Sequence, residues 1–264
     1  MLYQRILTAV IGVPVAVFIV YLGKLPIFLT VTFISLLGLK EYYHIVDKLS
    51  IKPYRILGYL TGIIMLMVIY LNFPLRHYEP LIVLFLIGVI NLVVNYGKRS
   101  ISDLAYTLLG VLYISGLFGY LLLIRYNFIN GFWWVIITLV LIWLNDSGAY
   151  FSGMYFGKHK LHVHVSPNKT IEGAVGGVLI TIIAAIIISV VFGILTIWHS
   201  VMLSFLIALA GILGDLWESA LKREAGVKDS GNLLPGHGGI LDRFDSLLFA
   251  APVVYYYLRE FIIN

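Results

Sequence analysis

Asp215, Ser219 and Lys222 are spaced i, i+4 and i+7, so on a helix they share one face, with Glu218 at i+3 on its edge. Asp242 and Asp245, at i and i+3 where the last apolar run begins, share a face of a second helix. Between them lies a glycine-rich stretch ending Pro235-Gly236-His237-Gly238-Gly239, whose backbone can approach a ligand closely. Four cations, Lys222, Arg223, Lys228 and Arg243, accompany it. Carboxylates from two helices around a cationic loop suit a metal ion together with phosphate. Hard oxygen donors without sulfur select Mg²⁺ over zinc. Lysine and arginine neutralise phosphate, and arginine does so bidentately. The alternative is that these acids and bases simply pair as salt bridges at a membrane surface.

Two earlier segments carry further polar groups. Asn145-Asp146-Ser147-Gly148-Ala149-Tyr150 ends an otherwise apolar run, and an ionisable residue there is either functional or a mere interfacial stop. In Ser166-Pro167-Asn168-Lys169-Thr170-Ile171-Glu172-Gly173, Pro167 breaks the chain and Thr170 or Asn168 can cap the next helix. Lys169 then lies near a helix N-terminus, a good place for a phosphate and a poor one for a lysine with no anion to hold. Gly173, Gly176 and Gly177 have the spacing of close helix packing and need not touch a ligand. His159, His162 and His164 alternate in a basic stretch with no cysteine or carboxylate among them, which reads as a solvated or headgroup-facing loop rather than zinc.

The elements that must position these groups are membrane helices. Of 264 residues, 61% are hydrophobic and 12% charged, and there is no cysteine. That excludes an ordinary soluble domain, a disordered chain and a disulfide scaffold. The net charge of +5 suits anionic headgroups or phosphorylated substrates better than nucleic acid, and no nucleic-acid partner is expected. Apolar runs at about 6–22, 25–39, 56–72, 80–96, 104–124, 131–151, 173–196, 201–221 and 244–258 predict an all-α, polytopic transmembrane protein of about nine spans. The second run is short for a full crossing. The basic start followed by an apolar run without a cleavage site reads as an uncleaved first helix. Fourteen of the 18 Lys and Arg residues fall on one set of alternate segments and four on the other, placing the N-terminus in the cytoplasm and the C-terminus outside. Phe132-Trp133-Trp134, Trp198 and Tyr255-Tyr256-Tyr257 then lie near the outer interface. Only Glu41, Asp47, Glu79 and Asp103 precede Asp146 among the acids. Residues 1–130 therefore read as scaffold without buried charge, and 131–264 as the chemical half, in one integral membrane unit.

The 27 residues from Ser219 to Asp245 resemble the signature of the phosphatidate cytidylyltransferases, or CDP-diacylglycerol synthases: S-x-x-K-R-x4-K-D-x-G-x3-P-x-H-G-G-x2-D-R-x-D. Every fixed position is filled: Ser219, Lys222, Arg223, Lys228, Asp229, Gly231, Pro235, His237, Gly238, Gly239, Asp242, Arg243 and Asp245. The stretches around Asp146 and Lys169 also resemble the family's upstream blocks. The front half matches only in being hydrophobic. The resemblance implies transfer of a cytidylyl group from CTP to phosphatidate, releasing pyrophosphate. It also implies Mg²⁺ dependence, a multi-span enzyme of the cell membrane whose site faces the cytoplasm, and a homodimer. On it, Asp215, Asp242 and Asp245 are expected to hold Mg²⁺, with Asp146 as a further ligand or a support behind them. Lys222, Arg223, Lys228 and Arg243 are expected at the phosphates of CTP or lipid. Ser219 and the Gly238-Gly239 backbone would add hydrogen bonds, His237 would meet phosphate or leaving pyrophosphate, and Lys169 with Ser166 would meet the lipid phosphate or triphosphate. Two other readings are a CTP-dependent transferase acting on an ether-lipid phosphate or polyprenol, and a transporter with midplane acids. No G-x-x-x-x-G-K-[ST] or G-x-G-x-x-G stretch is present.

Overall fold

The computed structural model describes residues 12–72, 79–231 and 238–262, and residues 2–11 as helical backbone. The helices are α1 (Leu2–Leu22), α2 (Lys24–Lys48), α3 (Arg55–Tyr70), α4 (Glu79–Val94), α5 (Ile101–Gly110), α6 (Leu117–Asn127), α7 (Gly131–Phe156), α8 (Ile171–Phe192), α9 (Ile197–Glu224) and α10 (Leu241–Phe261). A π-helical stretch, Val111–Gly116, joins α5 to α6. The only strands among the described residues are β1 (Lys160–His162) and β2 (Ser166–Thr170), an antiparallel hairpin pairing Lys160 with Thr170 and His162 with Ser166. Every apolar run of the sequence lies largely within one helical segment. Five segments, Lys24–Lys48, Ile101–Asn127, Gly131–Phe156, Ile171–Phe192 and Ile197–Glu224, are long and apolar enough to cross a membrane. Large apolar side chains such as Ile56, Val94, Leu179, Ile183, Ile187 and Val191 stand exposed, as a lipid-facing surface requires and a water-soluble one does not. The chain is an all-α membrane protein.

It divides into two compact units, Met1–Asn127 with Glu224–Arg243, and Phe128–Arg223 with Phe244–Asn264. In the first, the core is aromatic and aliphatic around α2: Leu39, Tyr42, Tyr43, Ile114 and Phe118 are buried. Two polar contacts lie among them, with Ser35 and Ser115 hydroxyls 2.7 Å apart and the Tyr43 hydroxyl donating to the Thr107 carbonyl at 3.2 Å. Two expectations fail here. The short second span is a 25-residue helix, because the polar residues 40–48, read as a loop, continue it. The front half does bury charge, since Glu41 and Asp103 are each 5% exposed. Their burial is tolerated because hydrogen-bond donors surround them. Asp103 closes a capping box with Ser100 at the start of α5 and accepts the Lys52 N–H at 2.8 Å.

In the second unit α7 and α8 lie close along their glycines. A Cβ on Gly173 would come 2.8 Å from the Ala149 carbonyl oxygen, and one on Gly177 2.8 Å from that of Asn145. The small-residue spacing is therefore a packing device. Thr170 caps α8, its hydroxyl accepting the Gly173 N–H at 3.1 Å. Thr170→Ala is expected to cost about 1 kcal/mol and to lower the unfolding midpoint in detergent by about 2–4 °C.

Candidate active site

In the second unit, four elements bring charged groups together. α7 ends its apolar stretch at buried Asn145 and exposed Asp146. The α8 cap fixes the end of β2, which carries Lys169, and the Lys169 ammonium pairs with the Asp215 carboxylate of α9. One turn on, the Ser219 hydroxyl donates to Asp215 Oδ1 at 3.3 Å, the i, i+4 relation read from the sequence. Asp245, half-buried in the first turns of α10, accepts the Ser246 N–H at 2.7 Å and feels the charges of Asp215, Asp146 and Lys169. α9 can come this near because of Gly214, where a Cβ would overlap the Asp245 carbonyl oxygen. Asp215 thus pairs with the Lys169 ammonium, and Asp245 interacts with both and with Asp146.

The donors are all hard oxygens, and three acidic side chains stand against one ammonium. In chemistry and charge this set fits Mg²⁺. Among the described residues, no three acids or histidines stand close enough to hold a metal ion as arranged.

Asp242 belongs to the first unit. Its Oδ2 accepts the Ser230 N–H at 3.0 Å, the Ser230 hydroxyl at 2.9 Å and the Gly239 N–H at 2.8 Å. Gly238 has φ +81°, and a Cβ there would come 2.7 Å from the same oxygen. Asp242 is thus tied into the loop it terminates. Glu41 of α2, which sequence reasoning passed over, reaches the same loop. Its carboxylate accepts the Ile240 and Leu241 N–H groups, both at 2.9 Å, and the Ser230 hydroxyl at 3.1 Å. The available signal was an acid with buried apolar or small residues, Gly38 and Ile45, three back and four on, a position tolerable only with partners.

The cations divide. Lys222, 9% exposed, pairs with Glu218, 0% exposed, so its charge is neutralised within α9. Arg223 is exposed, its Nε donating to the Val165 carbonyl at 3.3 Å. Lys228 and Arg243 of the first unit are exposed. Ser166 is half-buried at the start of β2. His237 lies outside the described residues. His159 Nδ1 stands 2.6 Å from Glu172 Oε1, and the His162 Nδ1 accepts the Val165 N–H at 3.2 Å, so these two histidines organise the hairpin region.

Residues 3–261 match the profile of the cytidylyltransferase family. The chain is 37% identical over 269 aligned positions to the phosphatidate cytidylyltransferase of Bacillus subtilis (strain 168), covering 98% of each chain. It is 35% identical over 259 positions to that of Staphylococcus epidermidis (strain ATCC 12228 / FDA PCI 1200), covering 95% of this chain and 96% of the relative. It is also 35% identical over 257 positions to that of Staphylococcus aureus (strain COL), with the same coverage.

Proposed function

The chain belongs to the cytidylyltransferase family, and from that premise we propose that it joins CTP to phosphatidate, giving CDP-diacylglycerol and pyrophosphate. The enzyme is a CTP-dependent nucleotidyltransferase of phospholipid synthesis. What carries the substrate assignment is near full-length similarity to several phosphatidate cytidylyltransferases, joined to a signature filled at every fixed position.

The chemistry required matches the groups present. An oxygen of the lipid phosphate attacks the α-phosphorus of CTP, a new P–O bond forms, and the bond to the β-phosphate oxygen breaks to release pyrophosphate. The nucleophile is already anionic at neutral pH, so no strong base is needed. The obstacle is repulsion between anions, and catalysis is positioning plus neutralisation. Asp146, Asp215 and Asp245 would hold Mg²⁺, with Asp242 at the head of the same helix as the fourth assigned acid. Bound there, the ion would offset triphosphate charge and polarise the α-phosphoryl group. Lys169 is assigned to phosphate, since its ammonium sits just before a helix N-terminus and would be available to an anion if Asp215 were engaged by a cation. Arg223, Lys228 and Arg243 offer exposed charge to phosphates of CTP or lipid. Ser219 orients Asp215. Lys222 acts by fixing Glu218 inside α9, and Gly238 and Gly239 let the loop fold tightly over Asp242.

The topology proposed is nine spans in the cell membrane, N-terminus inside, with the site facing the cytoplasm. Within the second unit the alternation of α7 to α10 supports it. Phe128 and Tyr255 rings lie 5.7 Å apart, and His199 Nδ1 stands 2.9 Å from the Tyr257 hydroxyl. One end of this unit is thus aromatic, while Asp146, Lys169, Asp215 and Asp245 mark the other. A homodimer is proposed from the resemblance alone. Because the chain has no cysteine, Asp229→Cys gives a single exposed label site. It should react with an impermeant maleimide only after cells are opened, and labelling of intact cells would reverse the orientation.

The reaction itself is tested with radiolabelled CTP and purified protein in detergent. Chloroform-extractable label should need both phosphatidate and Mg²⁺. Transfer to an ether-lipid phosphate or polyprenol in place of phosphatidate would overturn the acceptor assignment.

A further inference from the structure

We propose that Glu41 is a positioning residue for the signature loop, holding Asp242 and the start of α10 in place through Ser230 and two backbone amides. The inference rests on the reading of that loop as part of the cytidylyltransferase machinery. Three observations in the first unit carry it. First, Glu41 is 5% exposed, and the bonds of its carboxylate to Ile240, Leu241 and Ser230 all go to the segment that ends in Asp242. A buried carboxylate held by two backbone N–H groups and a shared serine hydroxyl of one loop restrains that loop more strongly than a neutral side chain would. Second, Ser230 Oγ lies 3.1 Å from Glu41 Oε2 and 2.9 Å from Asp242 Oδ2, so one hydroxyl proton is shared between the buried acid and the assigned one. Third, the glycines of the signature make room for Glu41 itself. A Cβ on Gly231 would come 2.7 Å from Glu41 Oε1, and one on Gly239 would overlap Ser230 Oγ and approach the Glu41 carboxyl carbon to 2.7 Å. Two of the fixed glycines are therefore explained by an acid about 190 residues away in sequence, as well as by ligand access.

Glutamine is the sharpest probe. It keeps the shape but replaces one acceptor oxygen with an NH₂ that faces N–H donors. Amide hydrogen exchange of the full chain in detergent, without added metal, reads the loop directly. In Glu41→Gln, peptides covering 226–231 and 238–242 should exchange at least about tenfold faster, while those of α7 and α8 stay as in the wild type. Turnover of CTP with phosphatidate should fall by about 10–100-fold, mainly in kcat, and the Mg²⁺ concentration for half-activation should rise. Asp103→Asn, at the other buried acid of this unit, should lower the unfolding midpoint without changing loop exchange or the Mg²⁺ curve. Loop exchange and kcat within about twofold of wild type in Glu41→Gln would overturn the proposal. So would an Asp103→Asn protein with the same loop signature, because the effect would then be general loosening. If Glu41→Gln fails to fold, Ser230→Ala decides. It should raise loop exchange and lower kcat by a smaller factor, and a wild-type result in both would overturn the proposal. If the wild-type protein transfers no label while Glu41→Gln still shows the predicted exchange changes, the reaction assignment falls and the hold of Glu41 on the loop stands.

Discussion

Asp245→Asn should lower turnover at least about 10³-fold, equivalent to about 4 kcal/mol of transition-state stabilisation, in a protein that still folds. The substitution is nearly isosteric, and asparagine Oδ1 can still accept the Ser246 N–H that Asp245 holds. What it removes is one ionisable carboxyl group, which a bound cation would need in its anionic form, from the set formed with Asp146 and Asp215. In their anionic forms these groups repel one another in the absence of a cation, so the loss of one relaxes the folded state while weakening its grip on Mg²⁺. Steady-state turnover and the unfolding midpoint, measured on the same preparation, should therefore move independently: activity collapses and the midpoint holds or rises slightly. Near-normal turnover would remove Asp245 from the metal assignment. Asp242→Asn should differ in kind. Asp242 gathers three hydrogen bonds from its own loop, so both turnover and loop protection should suffer.

Gly214→Ala should be almost as damaging to activity, although it removes no functional group. The added methyl would overlap the carbonyl oxygen of Asp245 and come within 3.0 Å of its carbonyl carbon. Both are backbone atoms, so rotamer changes offer no escape and α9 must move relative to α10. Overpacking of this kind costs about 1–3 kcal/mol. The displacement falls on Asp215, the next residue, relative to Asp245, and a shift of about 1 Å in such a constellation costs about 10²-fold in rate. Gly12→Ala is the control: among the described residues, no atom outside its own helical turn lies within 4 Å of the new Cβ, and kcat should be unchanged. Equal activity in Gly214→Ala and wild type would mean that α9 and α10 tolerate separation and that the Asp215–Asp245 arrangement is not what the reaction depends on.

The helices were legible because runs of about 20 apolar residues have few other solutions. The second-unit cluster was legible because i, i+3 and i, i+4 spacing is a local rule, and it placed Ser219 on Asp215 correctly. Thr170 as cap and the glycines of α8 followed from equally local rules. Long-range pairing was not legible. The Glu218–Lys222 pair is local, at i, i+4, and fell under the salt-bridge alternative; spacing alone did not choose between it and a phosphate. Nothing around Lys169 says that in the ligand-free protein it lies on Asp215. Glu41 was hidden for the same reason, and by a second one: polar residues 40–48 look like a loop when hydropathy alone is read, so the acid seemed to lie outside the membrane helix that in fact carries it. The grouping of Glu224–Arg243 with the first 127 residues likewise depends on contacts that no spacing rule encodes.

That grouping has a consequence for how the chain comes into being. Glu41 and its partners Ser230, Ile240 and Leu241 are separated by 189, 199 and 200 residues. At about 5–20 residues per second, α2 exists for about 10–40 s before the donors that satisfy its carboxylate have been made. Through that interval the acid must stay hydrated, protonated or near the membrane surface, because a lone carboxylate in an apolar core is too costly to keep. Closure of the first unit is therefore a late event, completed only when the last helix starts to emerge, and the loop that carries Asp242 acquires its shape in the same step that gives the oldest buried charge its partners.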